Sequence, residues 1–216
     1  MSRYTPVTAE EFAALELSDW RYVLGAIHCH FRAPSFGAAG ALAALISATA
    51  DAVDHHPDID LRYPGIVGVR LSTHAVDGVS TEDIELARRV SQLAAAAGAT
   101  ASADAVVQLE IALDTMDADR IRPFWAAVLG YREADGNLVD PQRAGPPMWF
   151  QDMDEPRTER NRFHLDVSVP HDIAERRVAA ALAAGGRIVD GRHARSWWVL
   201  ADADGNEACI STWQDR

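Results

Sequence analysis

The chain has 216 residues, 48% of them apolar and 24% charged, which is the balance of a folding globular chain and a length between one domain and two. All 20 basic side chains are Arg, since the sequence contains no Lys, and this excludes Schiff-base chemistry, lysine-anchored cofactors and P-loop phosphate binding. A net charge of −12, spread over both halves, repels nucleic-acid phosphates, so neither DNA nor RNA is an expected partner.

Cys29 and Cys209 are too few and too far apart for a disulfide scaffold and fit a reducing compartment. The N-terminus lacks the apolar core of a signal peptide, and no stretch is expected to supply the about 18 uncharged apolar residues that crossing a bilayer takes. A cytoplasmic protein with no membrane partner is the expectation.

Thr8-x-x-Glu11 is a capping box that opens a short helix, and residues 24–32 read as a strand. Phe36, Ala39, Ala43, Ile46, Ala50 and Val53 recur at three- and four-residue spacing. They form one apolar helical stripe, predicted to run to His56, where Pro57 restricts the residue before it. Val67, Val69 and Leu71 alternate with Gly68, Arg70 and Ser72 as a half-buried strand, and Ser80-x-x-Asp83 opens a helix ending at Gly98. The order α-β-α-β-α predicts an α+β unit, a small antiparallel sheet with helices on one face. The small residues of 98–105 cannot bury much surface, and they divide the chain into domains over 1–98 and 106–216.

The second segment repeats itself. A strand over 106–114, a helix over 118–129 and short strands up to Asp152 are followed by a strand over 162–169, a helix over 173–184 and strands up to Trp213. Gly130 and Gly185 end the two helices, and Asp172-x-x-Glu175 caps the second at its start. Two β-α-β-β-β modules are expected to pair their curved sheets around one cleft. Trp149 and the Trp197-Trp198 pair line that cleft or pack in the core; alternation turns one indole of the pair away from the other, toward a ligand or the first domain.

Five of the eight histidines fall between positions 28 and 74, densest in Asp51-Ala-Val-Asp-His55-His56-Pro57-Asp58. Converging imidazoles can supply a general acid and a general base to one substrate. His55 and His56 are placed in the last turn of a helix, with Asp51 four residues before His55 and on its face, able to orient it. His74 follows the second strand, and Asp83 lies in the first turn of the next helix. His28, His30, His171 and His193 have no partner pattern and are read as structural.

On these residues the segment from about 8 to 97 resembles the pterin-4a-carbinolamine dehydratases: Asp51, His55-His56-Pro57, Tyr63, Ser72-Thr73-His74 and Asp83 follow that family's order and spacing. The loop between Phe31 and Phe36 is about two residues longer than the pattern. The interval from Tyr63 to His74 holds one extra residue, taken up as a bulge or a longer turn at Pro64-Gly65. The resemblance implies dehydration of a 4a-hydroxytetrahydropterin, with no metal or other cofactor. His55 and His74 would be the proton-transfer pair and His56 would bind or polarise the pterin, with Asp51, Pro57 and Asp83 supporting. Asp83 also completes a capping box whatever the enzyme does. A homo-oligomer, dimer or tetramer, is implied as well.

Residues 106–213 resemble the vicinal oxygen chelate fold of glyoxalases and extradiol dioxygenases through Phe124-Trp125-x-x-x-Leu129-Gly130-Tyr131, Asn161-Arg162-Phe163-His164-Leu165-Asp166 and Asp202-x-Asp204-Gly205-Asn206-Glu207. What that implies for a divalent metal falls on Glu110, Gln151, His164 and Cys209, the last where the family usually places a Glu. Glu207 lies two residues earlier on the same strand face. A metal site and a metal-free polar cleft both remain open. Three functions follow: a dehydratase with an accessory small-molecule-binding domain, a metal-dependent lyase, isomerase or dioxygenase in the second half, or a non-catalytic dimerisation module that binds a partner protein.

Overall fold

A computed structural model of the protein describes residues 4–156, 164–169, 172–212 and 214–215. Its chain parts into two compact units between Gln108 and Leu109, each with its own apolar core.

The first unit opens on α1 (Ala9–Ala13), held by the capping box in which Thr8 Oγ1 accepts from the Glu11 amide and Glu11 accepts from the Thr8 amide. Strands β1 (Arg21–Val23) and β2 (Ala26–Arg32) form a hairpin whose two turn residues, Leu24 and Gly25, both have positive φ, the twist that a tight hairpin prefers. Helix α2 (Phe36–Val53), β3 (Asp58–Arg62), β4 (Ile66–Leu71), α3 (Thr81–Ala96) and β5 (Thr100–Ala101) follow. The sheet is antiparallel in the order β1-β2-β4-β3, and β5 pairs with the far end of β2. The 98–105 stretch therefore adds an edge to the first sheet.

Strand alternation sends Ile27, Cys29 and Phe31 of β2 and Val67, Val69 and Leu71 of β4 to one buried face, where they meet Ala39, Leu42, Ile46 and Ala50 of α2 and Leu86, Ala87, Val90 and Ala94 of α3. The small residues at 39 and 50 let α2 lie close to the sheet.

Three short strands, β1, β3 and β5, interrupt the expected α-β-α-β-α order. β3 reads Asp-Ile-Asp-Leu-Arg at the sheet edge, where charged side chains are tolerated and obscure the apolar alternation. Helix α2 also stops three residues short of His56. Asp54 takes the left-handed conformation, φ 52°, and its amide closes on Ala50 and Asp51, ending the helix before Pro57 acts. By length and composition alone, α2 is long and apolar enough to cross a bilayer. Alanine and glycine supply that character, and its face of Ala39, Leu42, Ile46 and Ala50 is buried in the core.

The second unit holds two copies of one module. β6 (Ile111–Thr115), α4 (Ala118–Leu129), β7 (Arg132–Ala134), β8 (Asn137–Val139) and β9 (Met148–Asp152) form a sheet ordered β6-β9-β8-β7. β10 (Leu165–Ser168), α5 (Ala174–Ala183), β11 (Arg187–Asp190), β12 (Trp197–Ala201) and β13 (Glu207–Ser211) repeat it as β10-β13-β12-β11. In each, the first strand lies parallel to the last and the rest are antiparallel. These are the paired modules of the vicinal oxygen chelate architecture, and one core joins them, with Ile121, Phe124 and Trp125 from the first and Val178, Trp198 and Leu200 from the second.

Two local expectations change. Residues 106–110 precede the strand, with Val107 and Leu109 exposed, because β6 finds its partner β9 only from Ile111 opposite Met148 onward. Helix α5 is preceded by Ile173 with no side-chain cap bond, so Asp172 does not cap it. Arg162 at the start of the expected second-module strand, the Asn161-Arg162-Phe163 motif, His171 and Trp213 lie outside the described residues.

Candidate functional site

The chain reverses at Asp54 and delivers His55 into the protein, where the residue is 7% exposed. Its Nε2 lies 2.7 Å from Oδ1 of Asp83. Asp83 is the third residue of α3 and wholly buried. Its other oxygen, Oδ2, accepts from the Ser80 amide at 2.7 Å, from Thr73 Oγ1 at 2.7 Å and from Ser80 Oγ at 3.2 Å. Burial alone would raise this carboxyl; the hydrogen bonds from His55, Thr73 and Ser80 outweigh it and hold the group below the usual carboxylate range. An ionised carboxylate only accepts, so Nε2 of His55 carries the proton and Nδ1 is the ring atom left for exchange. The capping role and the His55 contact are thus made by the same carboxylate, one through each oxygen.

His56 stays exposed, with Nε2 3.0 Å from Asp51 Oδ1. Asp51 therefore partners His56 and not His55, because the early helix end moves His55 off the face that Asp51 occupies. Pro57 leads directly into β3. His74 is exposed and begins a 3₁₀ turn, His74–Val76. It follows Thr73, which is buried and bonded to Asp83, so a short covalent and hydrogen-bonded path joins the segments of His74 and His55. β4 keeps an unshifted register against both β2 and β3, so no bulge interrupts residues 66–71 on the way to His74. His55 also borders a cavity of about 220 Å³ with Val53, Thr81, Glu82, Glu85 and Arg89. Thr73 was legible only as a motif letter; its part as a donor to Asp83 had no signal in spacing. His28 is buried with Nε2 3.2 Å from the Val23 carbonyl, and burial, then the Arg70 charge, bring it down to about 4.

In the second unit, a cavity of about 370 Å³ is lined by Asp114, Arg120, Trp125, His164, Asp204 and Glu207 among others. Asp202 is fully buried and accepts from Trp125 Nε1, the amides of Asp204 and Asn206, and Asn206 Nδ2. Asp204 accepts from Thr115 Oγ1 at 2.6 Å and pairs with Arg120. The Asp-x-Asp-Gly-Asn motif thus shapes a turn around Gly205, φ 91°.

Of the four expected metal ligands, Glu110 is not among the His, Cys, Asp and Glu donors that meet. Glu110 precedes β6 and is exposed. Gln151 is exposed, its Nε2 donating to the Asp152 carbonyl. His164 and Cys209 do come together, and Asp166 joins them: one donor atom from each lies within 4.8 Å of the others. Register explains this, since Asp166 faces Cys209 across the parallel β10–β13 pair and His164 is two residues earlier on the same face. Nitrogen, carboxylate oxygen and sulfur form a donor set that fits a borderline cation such as zinc and not an all-oxygen cage. Trp198 is buried in the core, while Trp197 lines a second cavity, about 430 Å³, with His164, Asp166, Cys209 and Ser211. His193 stacks on Trp197 at 4.2 Å between centroids.

Residues 5–93 match the family model described as Pterin 4 alpha carbinolamine dehydratase, and residues 110–211 match one described as a Glyoxalase-like domain. A Mycobacterium leprae protein, provisionally named a pterin-4-alpha-carbinolamine dehydratase, is 37% identical over 81 residues, which are 38% of this chain and 85% of the relative. A Streptomyces coelicolor protein with the same provisional name is 38% identical over 96 residues, 44% of this chain and 93% of the relative. Among solved structures, a transcriptional coactivator/pterin dehydratase from Brucella melitensis matches with a TM-score of 0.38 at 30% identity, over 42% of this chain and 99% of that one. A glyoxalase/bleomycin resistance protein/dioxygenase family enzyme from Burkholderia phytofirmans matches with a TM-score of 0.39 at 19% identity, over 48% and 95%. The chain belongs to the pterin-4a-carbinolamine dehydratase family through its N-terminal unit. The segment behind it is similar to a glyoxalase-like domain over residues 110–211.

Proposed function

We propose that the N-terminal unit is a hydro-lyase that removes water from a 4a-hydroxytetrahydropterin. In that substrate the hydroxyl sits on the ring carbon beside nitrogen. Dehydration breaks the C–O bond, takes a proton from the ring nitrogen and forms C=N, so the residues must give one proton to the leaving oxygen and accept another. No electrons are exchanged. His55 and His74 are the proposed proton carriers, His55 through Nδ1, and His56, steadied by Asp51, binds the pterin. Asp83 and Pro57 support them, the first by fixing the His55 ring and the second by fixing the chain beyond His56. Positioned acid–base groups contribute about 10²- to 10⁴-fold, enough for a step already assisted by the nitrogen lone pair.

The observation that carries this reading is the buried His55–Asp83–Thr73 network: a histidine held by a carboxylate that three further hydrogen bonds fix in place. We place the enzyme in the cytoplasm as a homo-oligomer, with the two units as separate domains. The test is the rate of water loss from a 4a-hydroxytetrahydropterin with wild type, His55→Ala and His74→Ala. Acceleration by wild type and its loss in both variants support the reading; a wild type no faster than buffer ends it and leaves the partner-binding role.

The glyoxalase-like unit is read as a small-molecule-binding accessory that holds a divalent ion. The His164–Asp166–Cys209 convergence favours this over a metal-free cleft.

A further inference from the structure

We infer that His164, Asp166 and Cys209 form a thiolate-bearing site selective for a thiophilic, borderline divalent cation of the zinc type, built on the β10–β13 pair and the residue that leads into β10. The inference rests on the divalent-ion reading of the second unit and names the ion's class and its donors.

The parallel register fixes Asp166 beside Cys209, and the two-residue period of β10 brings His164 to the same face. Zinc bonds of about 2.0–2.3 Å in a tetrahedron need donors roughly 3.3–3.8 Å apart. His164 Nε2 and Asp166 Oδ1 already lie 3.4 Å apart, and all three donors lie within 4.8 Å of one another. Closing the remainder falls to His164 and Asp166, both exposed and able to change rotamer, while the buried Cys209 is the fixed anchor. Three protein donors leave a fourth position, and the adjoining cavity of about 430 Å³, bordered by Trp197 and Ser211, has room there for a water or a ligand atom. This is the coordination plan of a catalytic zinc site, in which protein groups fill three positions. Sulfur decides the selectivity, because magnesium and calcium take oxygen donors and gain little from a thiolate.

The test uses the full chain and Co²⁺ as a spectroscopic probe. Wild type is expected to bind one Co²⁺ per chain with a near-ultraviolet thiolate-to-cobalt charge-transfer band, which Zn²⁺ abolishes and excess Mg²⁺ leaves intact. Cys209→Ser is expected to lose the band. Asp166→Asn, an exposed change that leaves the core untouched, is expected to keep the band and weaken Co²⁺ binding by at least about tenfold. Preferential Mn²⁺ or Mg²⁺ binding without the band overturns this inference and leaves the divalent-ion reading standing. Failure to bind any of the four ions overturns both. A band that survives Cys209→Ser overturns the donor assignment.

Discussion

Nε2 of His55 stands 2.7 Å from Oδ1 of Asp83, 28 positions later in the chain, and both side chains are buried. One oxygen of that carboxylate closes the N-terminus of α3 and receives Thr73, and the other fixes the imidazole, so folding and proton chemistry meet in a single group.

Asp83→Asn tests that double duty. An amide keeps the shape but presents one NH₂ to a set of neighbours that all donate, so either His55 or the Thr73–Ser80 pair loses its acceptor. The expected cost is about 1–3 kcal/mol of stability and a fall in kcat of about 10²-fold with KM little changed, since the substrate does not touch residue 83. The pH dependence has a fixed sign. A carboxyl held below its ordinary 3.8 contributes stability that is present above that value and lost as pH falls through the lower, folded one. Denaturant unfolding below pH 4 is expected to show this loss in wild type and not in Asp83→Asn.

His28 gives a second, separate acid response. Its folded value of about 4 against an ordinary 6.5 means that the unfolded chain binds a proton the folded one refuses. Stability is whole above pH 6.5 and drains between 6.5 and 4, by up to about 3 kcal/mol. Urea titrations of wild type and His28→Gln across that window check it: the slope is expected to flatten in the variant.

Cys29 lies at the centre of β2, wholly buried, and burial together with the Asp19 charge pushes its thiol up to about 12. In Cys209→Ser, where it is the sole thiol, a disulfide-exchange reagent at pH 8 is expected to find nothing in the native protein and one group after unfolding. Fast native labelling would contradict the packing of the first core.

Much of this was legible in the sequence where one period dominates. β2, β4 and the apolar stripe of α2 declare themselves, and the repeated module shows in its glycine-ended helices. The order of histidines and aspartates was readable, but their pairing was not. Asp51 reaches His56 because Asp54 adopts a left-handed conformation, a one-residue event that no apolar pattern records. Asp166 escaped for a different reason: its place beside Cys209 depends on the register of two strands 43 residues apart. Glu110 lies off the sheet because the strand expected over 106–114 begins only at Ile111, where its partner strand begins to pair.

The central claim is tested most directly by progress curves for the dehydration of a 4a-hydroxytetrahydropterin, wild type beside His74→Ala, an exposed substitution that spares the core. The account predicts that wild type outruns buffer and that the variant loses about 10²-fold of the acceleration or more. Equal rates for variant and wild type, or a wild type that only tracks buffer, would contradict it.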